Sequence, residues 1–170
     1  MTVERIPAPL FPPRYGPLSG IRVLVAGNIV AGPTVGTLLG DLGVEVICIE
    51  RPGTGDVMRF ILPFYEADGK KIGGEFVCVR RNELSVALDI RSDEGKKILY
   101  ELFKQSDIFV ENLVWLEERY GIRDVDIFRA NPKMVIVHVS GYGRPESGGD
   151  PEKCKRGSYD IISQAYSGWC

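Results

Sequence analysis

Gly20-Ile21-Arg22-Val23-Leu24-Val25-Ala26-Gly27, continuing through Ala31-Gly32-Pro33 to Asp41-Leu42-Gly43-Val44-Glu45-Val46-Ile47-Cys48-Ile49-Glu50-Arg51-Pro52-Gly53, reads as strand, turn, helix and strand. Two short apolar runs rich in β-branched residues bracket a stretch that opens at Pro33 and closes at Gly43, residues suited to the first turn and the end of a helix. This is a βαβ unit, and its two strands must run parallel. Parallel strands deliver loops and helix N-termini to their carboxyl edge, where free N–H groups and the helix dipole attract anions. Arg51 is expected on that edge.

A dinucleotide fold is the obvious comparison, with Glu50 placed like the acid that holds a ribose. The glycines Gly27, Gly32 and Gly36 lack the G-x-G-x-x-G spacing, and Arg51-Pro52-Gly53 directly after the acid would crowd a ribose. Nicotinamide and flavin binding are therefore disfavoured.

Working outward, the 170 residues are 44% hydrophobic with a formal net charge of -2, enough for one ordinary core and without a global pull toward nucleic acid. No apolar run approaches the roughly 20 residues that cross a bilayer, and Met1 to Arg14 is proline-rich and polar where a signal peptide needs an apolar stretch. The cytoplasm is the expected compartment, with no membrane partner. Cys48, Cys78, Cys154 and Cys170 form no C-x-x-C pair, and His138 is the single histidine, so neither a zinc site nor a disulfide framework is expected. Cys48, inside an apolar strand, reads as a small core residue.

Arg51 to Gly74 reads as a long irregular crossing. Leu84 to Ile90 alternates as a strand, and Ser92 caps a helix whose apolar stripe is Ile98, Leu99, Leu102 and Phe103. A short buried strand at Asp107–Glu111, a helical stretch from Trp115 to Tyr120, a short helix from Val125 to Ala130 and a strong strand from Met134 to Ser140 follow. Strands alternating with helices of this length predict an α/β, Rossmann-like fold with a largely parallel sheet and flanking helices. After the charged loop Arg144 to Lys155, a helix from Tyr159 to Tyr166 has Ile161, Ile162 and Ala165 on one side and little chain left to cover them, which suggests a truncated chain or a partner.

Four segments in series resemble the class III coenzyme A transferases of the CaiB/BaiF type, the family of formyl-CoA, carnitine-CoA and benzylsuccinate-CoA transferases and of the 2-methylacyl-CoA racemases. They are Pro17-Leu18-Ser19-Gly20-Ile21-Arg22-Val23-Leu24; Ala31-Gly32-Pro33 with Leu39 to Ile47 and Glu50 to Asp56; Ser106-Asp107-Ile108-Phe109-Val110-Glu111-Asn112-Leu113; and Asn131-Pro132-Lys133 with Val139 to Gly143, Tyr159-Asp160 and Gln164 to Gly168. The resemblance implies that 1–18 is an N-terminal arm and 19–170 a CoA-binding domain, the N-terminal part of a longer architecture. It implies CoA along the carboxyl edge, touching Ile29, Val30, Ala31, Arg51, the run Leu88-Asp89-Ile90-Arg91, Asn112, Leu113 and Arg119. Arginines from separate loops can meet a 3′-phosphate and a pyrophosphate with forked hydrogen bonds, the bland alternative for each being a solvated cation or a salt bridge. Where relatives commonly carry Asn-Lys-Arg before the third strand, this chain has Asn82-Glu83-Leu84, two cations fewer.

The resemblance further implies an interlocked dimer and transfer of CoA between an acyl-CoA and a carboxylic acid by a nucleophilic aspartate, with no metal. That aspartate follows the Gln164 to Gly168 segment in relatives, so the chain is expected to stop before it; Asp107 and Asp160 match structural positions instead. The racemase branch uses a histidine where this chain has Tyr159, which disfavours a CoA-thioester racemase or isomerase. A non-catalytic CoA-binding subunit of a heteromeric transferase is the other alternative. His138, in a strand and without a second catalytic partner, reads as a hydrogen-bonded structural imidazole.

Overall fold

A computed structural model describes residues 16–113 and 116–169. Most of the expected arm, Trp115 and Cys170 lie outside them. Among the described residues the strands are β1 (Arg22–Ala26), β2 (Glu45–Glu50), β3 (Phe64–Ala67), β4 (Lys70–Gly73), β5 (Glu83–Ala87), β6 (Ile108–Glu111) and β7 (Val135–His138). The helices are α1 (Ala31–Asp41), α2 (Gly74–Val79), α3 (Asp93–Lys104), α4 (Leu116–Tyr120), α5 (Asp124–Ala130) and α6 (Asp160–Ser167).

Five strands form one sheet in the order β5-β2-β1-β6-β7, every pairing parallel. The fold is therefore α/β with a parallel sheet, as the βαβ reading predicts. β1 has neighbours on both edges and helices over both faces, which is why it is buried at every position and apolar at all but the paired Arg22. Its period of two divides the interior: Leu24 and Ala26 join Leu99, Phe103, Phe109, Leu116 and Ile127 on one face, and Val23 and Val25 join Val46 and Val110 on the other. α1 covers the second face at close range because its inward stripe is Gly32, Gly36 and Gly40. A Cβ at Gly36 would stand 2.9 Å from Val25 Cγ2 and 2.7 Å from Glu83 Oε1.

Ser92 caps α3 as expected, its Oγ accepting from Gly95 N at 2.9 Å. Leu99 and Phe103 are fully buried, but Ile98 is half exposed and does not belong to the buried stripe; Tyr100 takes part instead, packed edge-on to Phe103. α1 starts at Ala31, two residues before Pro33.

The crossing from Arg51 to Gly74 is structured rather than irregular. Asp56 caps a 3-10 turn at Val57–Phe60, β3 and β4 form a hairpin, and α2 follows without a break. The hairpin turn is Asp68-Gly69, both at positive φ (51° and 73°), the Asp-Gly signature of a two-residue turn whose twist matches paired strands.

Candidate functional site

The strand order reverses beside β1: β2 and β5 lie to one side, β6 and β7 to the other. At such a switch point the loops leaving adjacent strands diverge and open a crevice at the carboxyl edge. Here the walls are the Gly27–Ile29 turn after β1 and Asn112–Leu113 after β6, joined by a reciprocal pair of bonds: Asn28 N donates to Asn112 Oδ1 and Asn112 Nδ2 to Asn28 O, both 2.9 Å. Gly27 must be glycine, because a Cβ there would meet Asn112 Oδ1 at 2.3 Å.

Two clefts meet at Asn28. The first lies over β1, β2 and β5 and is lined by Arg51, Leu88, Asp89, Ile90, Arg91 and Leu113, together with Tyr120 and residues of the β1 and β2 ends. Five separate segments of the sequence thus reach one cleft. Arg119 is on α4 beside Tyr120 but is not among its lining residues. The second cleft, of about 500 Å³, is bounded by Ile29, Val30, Ala31 and Asn112 on one side and by Val139, Ser158, Tyr159 and Asp160 on the other.

The electrostatics of the first cleft rank its cations. Arg91 forks onto Asp89, Nε to Oδ1 at 2.9 Å and Nη2 to Oδ2 at 3.2 Å. That fork first, then the Arg91 amide donating to Oδ1 at 3.1 Å, and last the charges of Arg91 and Arg51 hold the Asp89 carboxyl below the ordinary carboxylate range. Among the described residues the Arg51 side chain makes no hydrogen bond or ion pair, its backbone carbonyl alone accepting from Gly55 N at 2.8 Å, so the guanidinium can meet an incoming anion without first releasing a partner. Among the described residues no cluster of His, Cys, Asp and Glu gathers as a metal site would.

The turn itself departs from the simple picture of free N–H donors. Asn28 N is taken by Asn112, and Ile29 N donates to Asp56 Oδ1 at 3.3 Å. Anion attraction at this edge therefore rests on the arginines. Ile29 also sits at φ 68°, a left-handed conformation that costs a β-branched residue about 1–3 kcal/mol.

The profile of CoA-transferase family III matches residues 18–170. The chain belongs to CoA-transferase family III. It is 36% identical over 158 residues to the bile acid CoA-transferase BaiK of Clostridium scindens, covering 92% of this chain and 33% of that protein. It is 35% identical over 158 residues to the L-carnitine CoA-transferase of Proteus mirabilis, covering 92% and 36%. A CAIB/BAIF family protein from Brucella suis superposes with a TM-score of 0.80 at 30% identity, covering 90% of this chain and 39% of that one. Rv3272 of Mycobacterium tuberculosis superposes with a TM-score of 0.78 at 30% identity, covering 91% and 41%. The chain spans about a third of the length of the curated relatives it matches (33% and 36%).

Glu50 stands where a dinucleotide-binding fold would need a ribose acid, yet its carboxylate is spent inward. It accepts from Arg59 Nε (2.8 Å) and Nη2 (2.6 Å), from Ser85 Oγ (2.6 Å) and from Asp56 N (2.8 Å). Burial alone would raise its pKa, but these donors overcome it and bring the group down to about 2 from 4.5. The unfolded chain therefore takes up this proton first as the pH falls: the stabilisation is complete above about pH 4.5 and is lost progressively toward pH 2. It amounts to about 3 kcal/mol. Glu50→Gln should accordingly flatten the decline of Tm between those limits; parallel declines in both proteins would show that Glu50 is not the group responsible. Glu83, raised by burial, titrates in the opposite sense, so the comparison with the variant is the informative one.

The other expectations resolve as follows. Cys48 is a core residue, its thiol pushed up to about 12 by burial. His138 is hydrogen-bonded through both ring nitrogens: Nδ1 faces Glu111 Oε1 at 2.5 Å and Nε2 faces Asp124 Oδ2 at 3.0 Å, the latter shared with Arg144 Nη1 at 2.9 Å. Glu83, the departure from the family pattern, turns a buried side chain inward and is met by Arg80 Nη1 at 3.1 Å. Asn28, Asp56, Arg80 and Tyr120 escaped the sequence reading. Arg80 alone carried a usable signal, a cation ending the apolar run Val77-Cys78-Val79.

Proposed function

We propose that the chain is the CoA-binding part of a class III CoA-transferase that moves CoA between an acyl-CoA and a carboxylic acid, acting in the cytoplasm as a homo- or heterodimer. The observation that carries this reading is the convergence of Arg51, Leu88, Asp89, Ile90, Arg91 and Leu113 on one cleft at the switch point. Arg51 and Arg91 would meet the phosphates, Leu88, Ile90 and Leu113 would pack the nucleoside, and Arg119 would add charge from α4. The pantetheine arm would then pass Asn28 and Asn112 along Ile29, Val30 and Ala31 toward the wider cleft.

In the reaction a carboxylate attacks the thioester carbonyl and expels CoA thiolate, leaving a mixed anhydride. The thiolate attacks the enzyme's carbonyl of that anhydride, releasing the first acid and forming an aspartyl-CoA thioester. The acceptor acid repeats the exchange in reverse, and the aspartate is regenerated. The described carboxylates near the clefts are already committed: Asp89 to Arg91, Asp124 to His138 and Arg144, and Asp160 to Gln164 Nε2 at 2.5 Å. Asp107 immediately precedes β6 at the amino edge and accepts from Arg22 N at 2.8 Å, at the far end of the strand from the clefts. These engagements support a nucleophile outside the described residues.

The isolated 170-residue chain should bind CoA saturably in calorimetry and yet exchange none between succinyl-CoA and an acceptor acid. No heat of binding at millimolar CoA would overturn the CoA site. Measurable exchange, or a trapped CoA adduct on Asp107 or Asp160, would overturn the assignment of the nucleophile, and a monodisperse monomer in light scattering would overturn the dimer.

A further inference from the structure

The backbone of the Gly27–Ile29 turn is gripped by side chains from elsewhere in the chain. Gly27 O accepts from Arg80 Nη2 at 2.8 Å, the backbone of Asn28 is bonded on both sides by Asn112, and Ile29 N donates to Asp56 Oδ1. Asp56 and Arg80 are only 1% and 7% exposed, and they are paired to each other. Asp56 precedes the 3-10 turn and Arg80 ends α2, so both belong to the segment inserted between β2 and β5, which contributes no strand to the main sheet. Arg80 is anchored in turn by Glu83 Oε2 and by Cys48 Sγ at 2.6 Å, while its Nε has no hydrogen-bond partner among the described residues. A buried pair of this kind is a poor way to gain stability, since desolvating two charges offsets most of their attraction. What it supplies here is direction: one member holds the carbonyl before Asn28 and the other the amide after it.

Ile29 needs that grip. Its φ of 68° is one a β-branched residue leaves when nothing opposes it. We infer that Asp56 and Arg80 are positioning residues, a buried clamp that keeps Ile29 left-handed and so preorganises the turn along which CoA lies. The inference rests on the CoA reading for its consequence, but the clamp itself is a property of the unliganded chain. Binding to a turn that is competent only part of the time is weakened by that fraction, so the clamp acts on affinity without touching the ligand.

The test uses the full chain with Asp56→Asn, which keeps an oxygen near the Ile29 and Met58 amides but removes the charge that faces Arg80, and with Arg80→Lys, which cannot reach Asp56, Gly27 O and Glu83 together. Amide hydrogen exchange is read with no ligand present. Exchange at Ile29 should accelerate about tenfold or more in both variants, while Val23 to Val25 in β1 stay protected, because local opening is distinct from global unfolding. CoA binding by calorimetry should weaken by about tenfold in the same variants, the factor for a turn competent a tenth of the time. Ile29→Gly, which accepts a positive φ without strain, should recover most of that loss when added to Asp56→Asn. Unchanged exchange at Ile29 would overturn the clamp, as would acceleration spread evenly over β1. If the wild type binds no CoA, the CoA reading fails while the exchange data still decide whether the clamp exists.

Discussion

Phe103→Ala should lower the unfolding free energy by about 3–5 kcal/mol, the range for emptying an aromatic site in a packed core. Phe103 is fully buried on the inward side of α3 and meets Phe109 of β6 edge-on at 4.9 Å between ring centroids and Tyr100 at 5.5 Å. The side chain therefore joins a helix to a central strand, and truncation costs the transfer of its apolar surface, the cavity left behind and both ring contacts. Against a typical domain stability of 5–15 kcal/mol this is a large fraction, and the urea midpoint should fall sharply with the slope of the transition preserved. Ile98→Ala, five residues earlier and half exposed, is the control and should shift the midpoint little. Equal midpoints for wild type and Phe103→Ala would mean that this helix is not docked on the sheet as described.

Arg51→Ala should weaken CoA binding by about 1–3 kcal/mol, the cost of a lost charge-assisted contact. The same truncation of Arg91 should cost less, because Arg91 must first leave its forked bond to Asp89 before it can serve an anion. Asp89→Asn removes that competitor and should tighten binding in a chain that keeps Arg91. If Arg51 meets the 3′-phosphate, its truncation should matter less for dephospho-CoA than for CoA. Equal calorimetric affinity of wild type and Arg51→Ala would remove Arg51 from the site, and a larger loss at Arg91 than at Arg51 would reverse the ranking drawn from the ion pairs.

The βαβ unit and the parallel α/β class were legible in the amino-acid sequence because they depend on local periodicity: apolar runs at Arg22–Ala26 and Glu45–Glu50, and a helix between them ended by Gly43. The serial order of short segments was enough for the family, which the match over residues 18–170 bears out. Local pattern also carried the cap at Ser92 and the burial of Cys48. The Asp68-Gly69 hairpin is equally local, but its signature is masked by the surrounding Gly and Pro. What the sequence alone could not decide is which loops meet. Arg51 and Arg91 lie 40 positions apart, and whether they share a cleft depends on β2 and β5 pairing side by side, a long-range contact with no local signature. The same holds for the grip on the first turn. Asp56, Arg80 and Asn112 look like ordinary polar residues in a one-dimensional reading, and only the sheet order β5-β2-β1-β6-β7 brings all three to the backbone between Gly27 and Ile29. Periodicity settles which face of an element is buried; strand order, set by packing the whole chain at once, settles which side chains become neighbours.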